Sequence, residues 1–242
     1  MKGILMKQYQ AYIFDMDGTA LNTLTDLRVS INYALEKTGH RHDFDDRTAG
    51  LLFGSGVRVA VMRALALENG SREEDLEQVG TENDRIGPQL DEAEIDRIIT
   101  VYMPHYQAHC NDRTGPYPGI DALLSRIGER GLKTAVVSNK PDPAVQKLND
   151  VHFGGVFDFT IGESPAYARK PAPDMVLRAM EVLGVPVSEA VYIGDTEIDL
   201  ETARRCGMDC IAVTWGFRTR EFLKRHGAKR IVDRAEEILG ES

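Results

Sequence analysis

The sequence predicts an α/β fold in which a parallel sheet is interrupted by an all-helical insert. Three observations carry this. A short apolar run, Tyr12-Ile13-Phe14, stops at two carboxylates and a glycine within A-Y-I-F-D-M-D-G-T at 11 to 19. From about Leu24 to His109 no convincing strand occurs, and apolar residues recur at helical spacing. From Gly115 onward, β-rich runs alternate with helical segments, the pattern of a parallel sheet covered on both faces.

The elements follow in order. A buried strand is expected at 8 to 14, with Gly18 as the turn that ends it. In the insert, Leu27, Ile31, Ala34 and Leu35 form one helical stripe, and Val57, Val61, Leu65 and Leu67 part of another. Ile95, Ile98, Ile99, Tyr102 and Tyr106 mark a third, longer helix, and R-E-E-D-L-E at 72 to 77 reads as a solvated helix face. Later strands are expected at 132–138, 157–161, 190–194 and 209–213, with a short one at 230–232. Helices fall between them at about 119–130, 141–149, 173–184, 197–206 and 219–226. The first strand and the later ones form one domain, residues 1–20 and 113–242, interrupted by a helical domain at 21–112. A helical unit hung on two linkers beside a carboxylate pair is well placed to act as a lid.

Composition narrows the function classes. The chain has 242 residues, 42% of them hydrophobic, enough for a packed core. A net charge of −9 argues against nucleic acid or an anionic membrane as partner, so an anionic substrate must be held by local positive groups. Cys110, Cys206 and Cys210 show no disulfide or zinc pattern and suit reduced thiols; Cys206 and Cys210 alone make a poor metal site. With no signal-peptide core and no membrane-spanning apolar run, the expectation is a soluble cytoplasmic protein, monomer or homodimer.

Asp15 and Asp17 are spaced i, i+2, so if the strand geometry persists both side chains leave on one face. Two crowded carboxylates repel and lose hydration, which calls for a cation or a reaction. Phosphoryl transfer uses such a pair: one Asp attacks phosphorus, the other protonates the leaving alkoxide and then activates water. A hard divalent cation is needed, because two carboxylates and a phosphate cannot share a pocket unaided.

The other strand ends should then also carry polar chemistry, because sites in such sheets lie at the carboxyl ends of the strands. Ser138-Asn139-Lys140-Pro141 closes one strand, where Ser138 and the Asn139 backbone N–H could bind a phosphate oxygen; taken alone it is an ordinary helix N-cap before proline. Lys170, in R-K-P-A-P-D, could reach nucleophile and phosphate as a point charge. G-D-T-E-I-D places Asp195 at the same mouth and Asp199 one helical turn later, oxygen ligands that suit Mg²⁺.

These four motifs resemble those of the haloacid dehalogenase-like superfamily, specifically its phosphatases with a helical cap after the first motif. The match runs through roughly 7 to 22 and 113 to 240. The resemblance implies a Rossmann-like parallel-sheet core with an inserted helical cap. It implies Asp15 as nucleophile and Asp17 as general acid/base. Mg²⁺ would bind the Asp15 carboxylate, the Asp17 backbone carbonyl and Asp195, with Asp199 supporting its shell. Thr19, Ser138, Asn139 and Lys170 would hold the phosphoryl group.

Within the superfamily the chain is most similar to phosphoglycolate phosphatases, through F-G-S-G-V-R-V-A-V-M-R-A-L, S-N-K-P, K-P-A-P-D and T-W-G-F. It departs from the usual first motif at Ala20 and Asn22, where Leu and Asp are customary. The expected substrate is a small phosphate ester, 2-phosphoglycolate first. A pyrophosphatase and a sugar-phosphate phosphatase or β-phosphoglucomutase-like enzyme are the alternatives, and a non-enzymatic binding module is a further one. Asp17 argues against a dehalogenase, which has no alkoxide to protonate; G-S-G-V-R stands where a mutase would carry an R-G-x-S-R-like signature. In the cap, Gly54-Ser55-Gly56 could turn backbone N–H groups toward a substrate carboxylate, with Arg58 adding charge; equally, the glycines could simply join two helices. His105 and His109, at i, i+4, read as ordinary polar surface residues rather than ligands.

Overall fold

The computed structural model describes residues 7–240. The expectation about a signal-peptide core concerns residues 1–6 in part, which lie outside the described residues. The chain divides into two compact units, Met1–Leu21 with Pro116–Ser242, and Asn22–Gly115.

The chain begins with β1 (Ala11–Phe14) and passes through β2 (Leu21–Asn22) into the helical unit. That unit contains α1 (Leu24–Lys37), α2 (Asp46–Leu52), α3 (Val57–Glu68) and α4 (Glu92–His109), and the chain leaves it through β3 (Gly115–Pro116). There follow α5 (Ile120–Glu129), β4 (Lys133–Pro141), α6 (Asp142–Phe153), β5 (Phe159–Glu163), α7 (Asp174–Leu183) and β6 (Ala190–Gly194). Then come α8 (Glu197–Cys206), β7 (Asp209–Val213), α9 (Arg220–Arg225) and β8 (Arg230–Val232), followed by a 3₁₀ turn, Ala235–Leu239.

In the first unit, six strands pair in the order β5-β4-β1-β6-β7-β8, every pair parallel. From β1 the sheet grows through β4 and β5 on one side and through β6, β7 and β8 on the other. The strand order therefore reverses between β1 and β6, where open α/β sheets place their ligands. All residues of β1 and β6 are buried, which is why both read as unbroken apolar runs. Ile13, Val137 and Tyr192 pack with Met175, Val176 and Ala179 of α7 in the core on one face of this sheet. The helices cover the sheet with apolar stripes such as Ile120, Leu123, Leu124 and Ile127 of α5.

Two boundaries differ from the sequence expectation in ways that matter. The regular part of β1 starts at Ala11, although Gln10 still bonds both neighbours, its N–H to Glu189 O at 2.7 Å and its carbonyl from the Lys133 N–H at 2.8 Å. At the other end β4 runs on to Pro141 instead of stopping at Ser138, with a register shift against β5 between Val137 and Pro141. Such an irregularity re-aims side chains at a strand end.

In the helical unit, the three expected stripes become α1, α3 and α4. The short α2, capped by Asp45 accepting from the Thr48 N–H at 2.8 Å, has no periodic signature. R-E-E-D-L-E forms part of a 3₁₀ turn, Glu73–Gln78, that buries Leu76. The buried Asp26 carboxylate accepts from the Arg113 N–H at 3.0 Å and the Thr114 hydroxyl at 2.8 Å, tying the outgoing segment to α1. Ala20 is buried, and Asn22 in β2 is exposed. Among the described residues, no helix is long and apolar enough to cross a membrane.

Candidate active site

Strand β1 ends at Phe14, so Asp15 and Asp17 stand in the turn beyond it, and strand alternation does not order them. Each finds its own lysine. Lys170 Nζ lies 2.9 Å from Asp15 Oδ1, and Lys140 Nζ lies 2.8 Å from Asp17 Oδ1. Both lysine side chains are 1% exposed, a burial that ammonium groups tolerate only when paired.

Lys170 is held from several directions. Its Nζ also donates to Asp199 Oδ1 at 2.9 Å and to the Tyr192 hydroxyl at 3.0 Å, and that hydroxyl donates to Val137 O at 3.1 Å. The Asn139 side chain grips the Lys170 backbone, accepting from its N–H at 2.7 Å and donating to its carbonyl at 3.0 Å. Asn139 thus positions the lysine. The side chain is engaged there, and the part the sequence reading assigned to Asn139 is that of its backbone N–H. Ser138 is buried, and its Oγ accepts from the Lys140 N–H at 3.2 Å.

The end of β6 supplies Asp195 and the start of α8 supplies Asp199. Asp199 Oδ2 accepts from the Thr196 hydroxyl at 2.7 Å, the Thr196 N–H at 3.0 Å and the Asp195 N–H at 3.1 Å, forming a capping box. Asp195 Oδ1 accepts from the Thr19 hydroxyl at 2.9 Å and Oδ2 from the Phe217 N–H at 2.7 Å. Thr19, expected among the phosphate-holding groups, is fully buried, and it is Asp195 that its hydroxyl meets. Trp215 Nε1 donates to Thr19 O at 3.0 Å, which links T-W-G-F to the same turn.

Two glycines make this approach possible. Gly18 has φ +80°, and a Cβ there would lie 2.3 Å from Asp195 Oδ2. A Cβ on Gly216 would lie 2.3 Å from both Asp195 Oδ2 and Gly18 O.

The electrostatics of the cluster are unbalanced. One oxygen each from Asp15, Asp195 and Asp199 lie within 4.8 Å of one another, against the single ammonium of Lys170. Burial pushes the Asp15 carboxyl up to about 7 against the pull of Lys170, with Asp199 and Asp17 adding to the rise. Burial, then Asp199 and Asp15, drive Asp195 well above the carboxylate range. Burial opposes the charge on Lys170, but Asp15 and Asp199 outweigh it and hold its pKa well above the ordinary lysine value. When all three buried carboxylates are ionised, the one ammonium leaves two negative charges unbalanced, and an all-oxygen donor set suits a hard divalent cation. The Asp17 carboxylate is outside this group.

The cap residues belong to the helical unit. Gly54 and Gly56 take φ of +112° and +83°, and Gly56 directly precedes α3. Ser55 Oγ faces Arg63 Nη2 at 3.4 Å, and the buried Arg63 guanidinium also reaches Leu51 O and Leu52 O, so it shapes this turn. Arg58, expected as a charge for the substrate, instead pairs with Glu92 and, at 2.6 Å, with Asp96, both on α4. Two carboxylates already neutralise it. His105 Nδ1 lies 3.0 Å from Ser30 Oγ and His109 Nδ1 lies 2.7 Å from Asp112 Oδ2.

Sequence reasoning missed Lys140, Tyr192, Gly216 and Phe217. Lys140 was visible inside S-N-K-P but read as part of a helix cap, and Tyr192 reads as one more apolar strand residue. Gly216 lay in the T-W-G-F motif without an assigned role.

A parallel sheet with a carboxylate turn at its switch point, a buried lysine and an acidic trio is an arrangement suited to oxygen-ligand and phosphoryl chemistry. The haloacid dehalogenase-like hydrolase family model matches residues 12–213, and the chain belongs to that family. It is a phosphatase by class. A crystal structure described as a candidate phosphoglycolate phosphatase, from Lactobacillus delbrueckii subsp. bulgaricus, is 51% identical with a TM-score of 0.94, covering 97% of this chain and 100% of that one. A phosphoglycolate phosphatase of Agrobacterium fabrum is 31% identical over 210 residues, 85% of this chain and 80% of that protein. One from Colwellia psychrerythraea is 27% identical over 235 residues, 97% of each chain.

Proposed function

We propose that this chain hydrolyses a small phosphomonoester, 2-phosphoglycolate first among candidates, by Mg²⁺-dependent transfer through an aspartyl-phosphate on Asp15. The observation that carries it is the buried group of Asp15, Asp195 and Asp199 around Lys170 at the sheet's switch point. The kinship with phosphoglycolate phosphatases supports the substrate class.

In this reading an Asp15 oxygen attacks phosphorus and the P–O ester bond breaks, its electron pair leaving on the alkoxide oxygen. Asp17 passes its carboxyl proton to that oxygen. Water then attacks the acyl phosphate while Asp17 takes a proton from it, and the bond to Asp15 breaks to release inorganic phosphate. Lys170 holds Asp15 in place and offsets charge on the phosphoryl oxygens, while Ser138 and the Asn139 N–H offer donors to them. Mg²⁺, held by Asp15, the Asp17 carbonyl and Asp195 with Asp199 behind them, would neutralise the excess charge and orient the phosphoryl group. Gly54, Ser55 and Gly56 of the helical unit are the residues proposed to select the ester, through their backbone groups.

The test is phosphate release from 2-phosphoglycolate, pyrophosphate, β-glucose 1-phosphate and p-nitrophenyl phosphate, with and without Mg²⁺, for wild type and Asp15→Asn. Metal-dependent release that Asp15→Asn abolishes is the expected result, with 2-phosphoglycolate preferred. No release by wild type from any of the four would overturn the reading.

A further inference from the structure

Lys140 is a buried cation in a place where a structural role alone accounts poorly for it. Its side chain is 1% exposed, and its ammonium meets Asp17 Oδ1 at 2.8 Å. The backbone that aims it is fixed from two sides. The Lys140 N–H donates to Ser138 Oγ at 3.2 Å, and β5 approaches so closely that a Cβ on Gly162 would lie 2.6 Å from Lys140 O. Gly162 in turn donates its N–H to Asp142 Oδ1 at 2.8 Å, just past the register shift in β4. The sheet irregularity thus turns a lysine toward the active-site mouth. Burying it away from water is costly unless its partner is fixed.

We infer that Lys140 is a positioning residue for the acid/base step: it anchors one oxygen of Asp17 so that the other, Oδ2, faces the leaving-group oxygen. A carboxylate on a turn beyond a strand has free rotation about χ1 and χ2, and proton transfer needs a heavy-atom separation near hydrogen-bond length. One ammonium contact on Oδ1 removes that freedom while leaving Oδ2 for the proton. Lys170 cannot do this, because its donors go to Asp15, Asp199 and Tyr192. The site therefore uses two lysines with separate tasks, one on the nucleophile and one on the acid. This inference rests on the phosphoryl-transfer reading above.

Leaving-group dependence tests it. An alkyl ester such as 2-phosphoglycolate needs its departing oxygen protonated, whereas p-nitrophenolate leaves with little help. Lys140→Met is expected to lower kcat on 2-phosphoglycolate at least about tenfold more than on p-nitrophenyl phosphate, a fraction of the whole acid/base contribution. KM for both esters should change little, and Lys140→Arg should restore part of the difference. In the Asp17→Asn background, adding Lys140→Met should cost little more on the alkyl ester, because the group it positions is already gone. Equal loss on both esters, a loss confined to KM, or full additivity with Asp17→Asn would each overturn the proposal; a KM effect would make Lys140 a phosphate ligand instead. Should Lys140→Met fold poorly, the same ratio is read from Lys140→Arg and Lys140→Gln. A wild type without Mg²⁺-dependent turnover would strike at the functional reading itself, whereas an active wild type with an unchanged ester ratio in the variants strikes only at Lys140.

Discussion

Asp199 gives one carboxylate oxygen to the Lys170 ammonium at 2.9 Å and keeps the other for the first turn of its own helix. The same side chain therefore fixes the lysine that faces Asp15 and the backbone from which Asp195 projects. Asn at this position can satisfy only one side. If its carbonyl accepts from the helix N–H groups, its amide points N–H at an ammonium. Asp199→Asn is expected to lower kcat by about 10- to 100-fold, the range seen when groups orienting a metal site are changed. Steady-state kinetics at saturating Mg²⁺ checks this, and a wild-type kcat would show that Asp199 orients nothing of consequence.

Gly216 is tied to Asp195 by the absence of a side chain. A methyl group there would sit 2.3 Å from Asp195 Oδ2 and from Gly18 O, neither of which is the loose end of a flexible chain. Gly216→Ala should destabilise the protein by about 1–3 kcal/mol through overpacking and weaken its response to Mg²⁺. Gly128, inside α5, has nothing within 4 Å of its would-be Cβ, so Gly128→Ala should be neutral or stabilise by about 0.5–1 kcal/mol. Urea melts of the two variants separate crowding from a general effect of adding a methyl group.

Excess buried negative charge makes the protein's stability sensitive to metal and to pH together. Asp15 is raised to about 7 by burial, so in metal-free protein the contribution of this carboxyl to stability is complete below its unfolded value of about 4 and is lost as pH rises through 7. A bound divalent cation reverses that preference, and it must displace the proton to bind. The increase in Tm on adding Mg²⁺ to EDTA-treated protein should therefore be larger at pH 8 than at pH 5.5. A rise independent of pH would separate the cation from this carboxyl, and Asp195→Asn should shrink the rise at both pH values.

Much of this site was legible because its parts sit at strand ends, where the change from apolar run to polar turn is visible in sequence. Asp15, Lys170, Asp195 and Asp199 came from that contrast. Lys140 did not, for a physical reason: Lys-Pro after Ser-Asn has the local chemistry of a helix start, and only pairing with β5 keeps the chain extended to Pro141. The contact between Thr19 and Asp195 was not legible, because spacing along a turn does not say which neighbouring strand a hydroxyl meets. Arg58 was read as an available charge because Glu92 and Asp96 are more than thirty residues away in sequence. The helical stripes were legible and α2 was not, since seven residues hold too few periods to show one.

His40 offers a test confined to the helical unit. Its ring bridges two carboxylates, Nδ1 at 2.7 Å from Glu68 Oε2 and Nε2 at 2.5 Å from Glu94 Oε1. Burial works to lower its pKa, but the hydrogen bonds to Glu94 and Glu68 outweigh that and leave it above 6.5. A histidine with a raised folded pKa contributes stability that is complete below the unfolded value and disappears as pH rises through the folded one. Glu94, brought down to about 2 by Arg97 and then His40, contributes above its unfolded value near 4.5 and loses that only in strong acid. Between about 4.5 and 6.5 both halves of the bridge are charged. His40→Gln, which keeps polarity but not the charge, should cost about 1–2 kcal/mol at pH 5.5, discounted for partial exposure. At pH 9 the cost should be smaller, because deprotonation of the wild-type ring removes its charge. Thermal melts of wild type and variant at the two pH values decide the matter: a Tm difference of the same size at both would mean that His40 acts through packing and not through its charge.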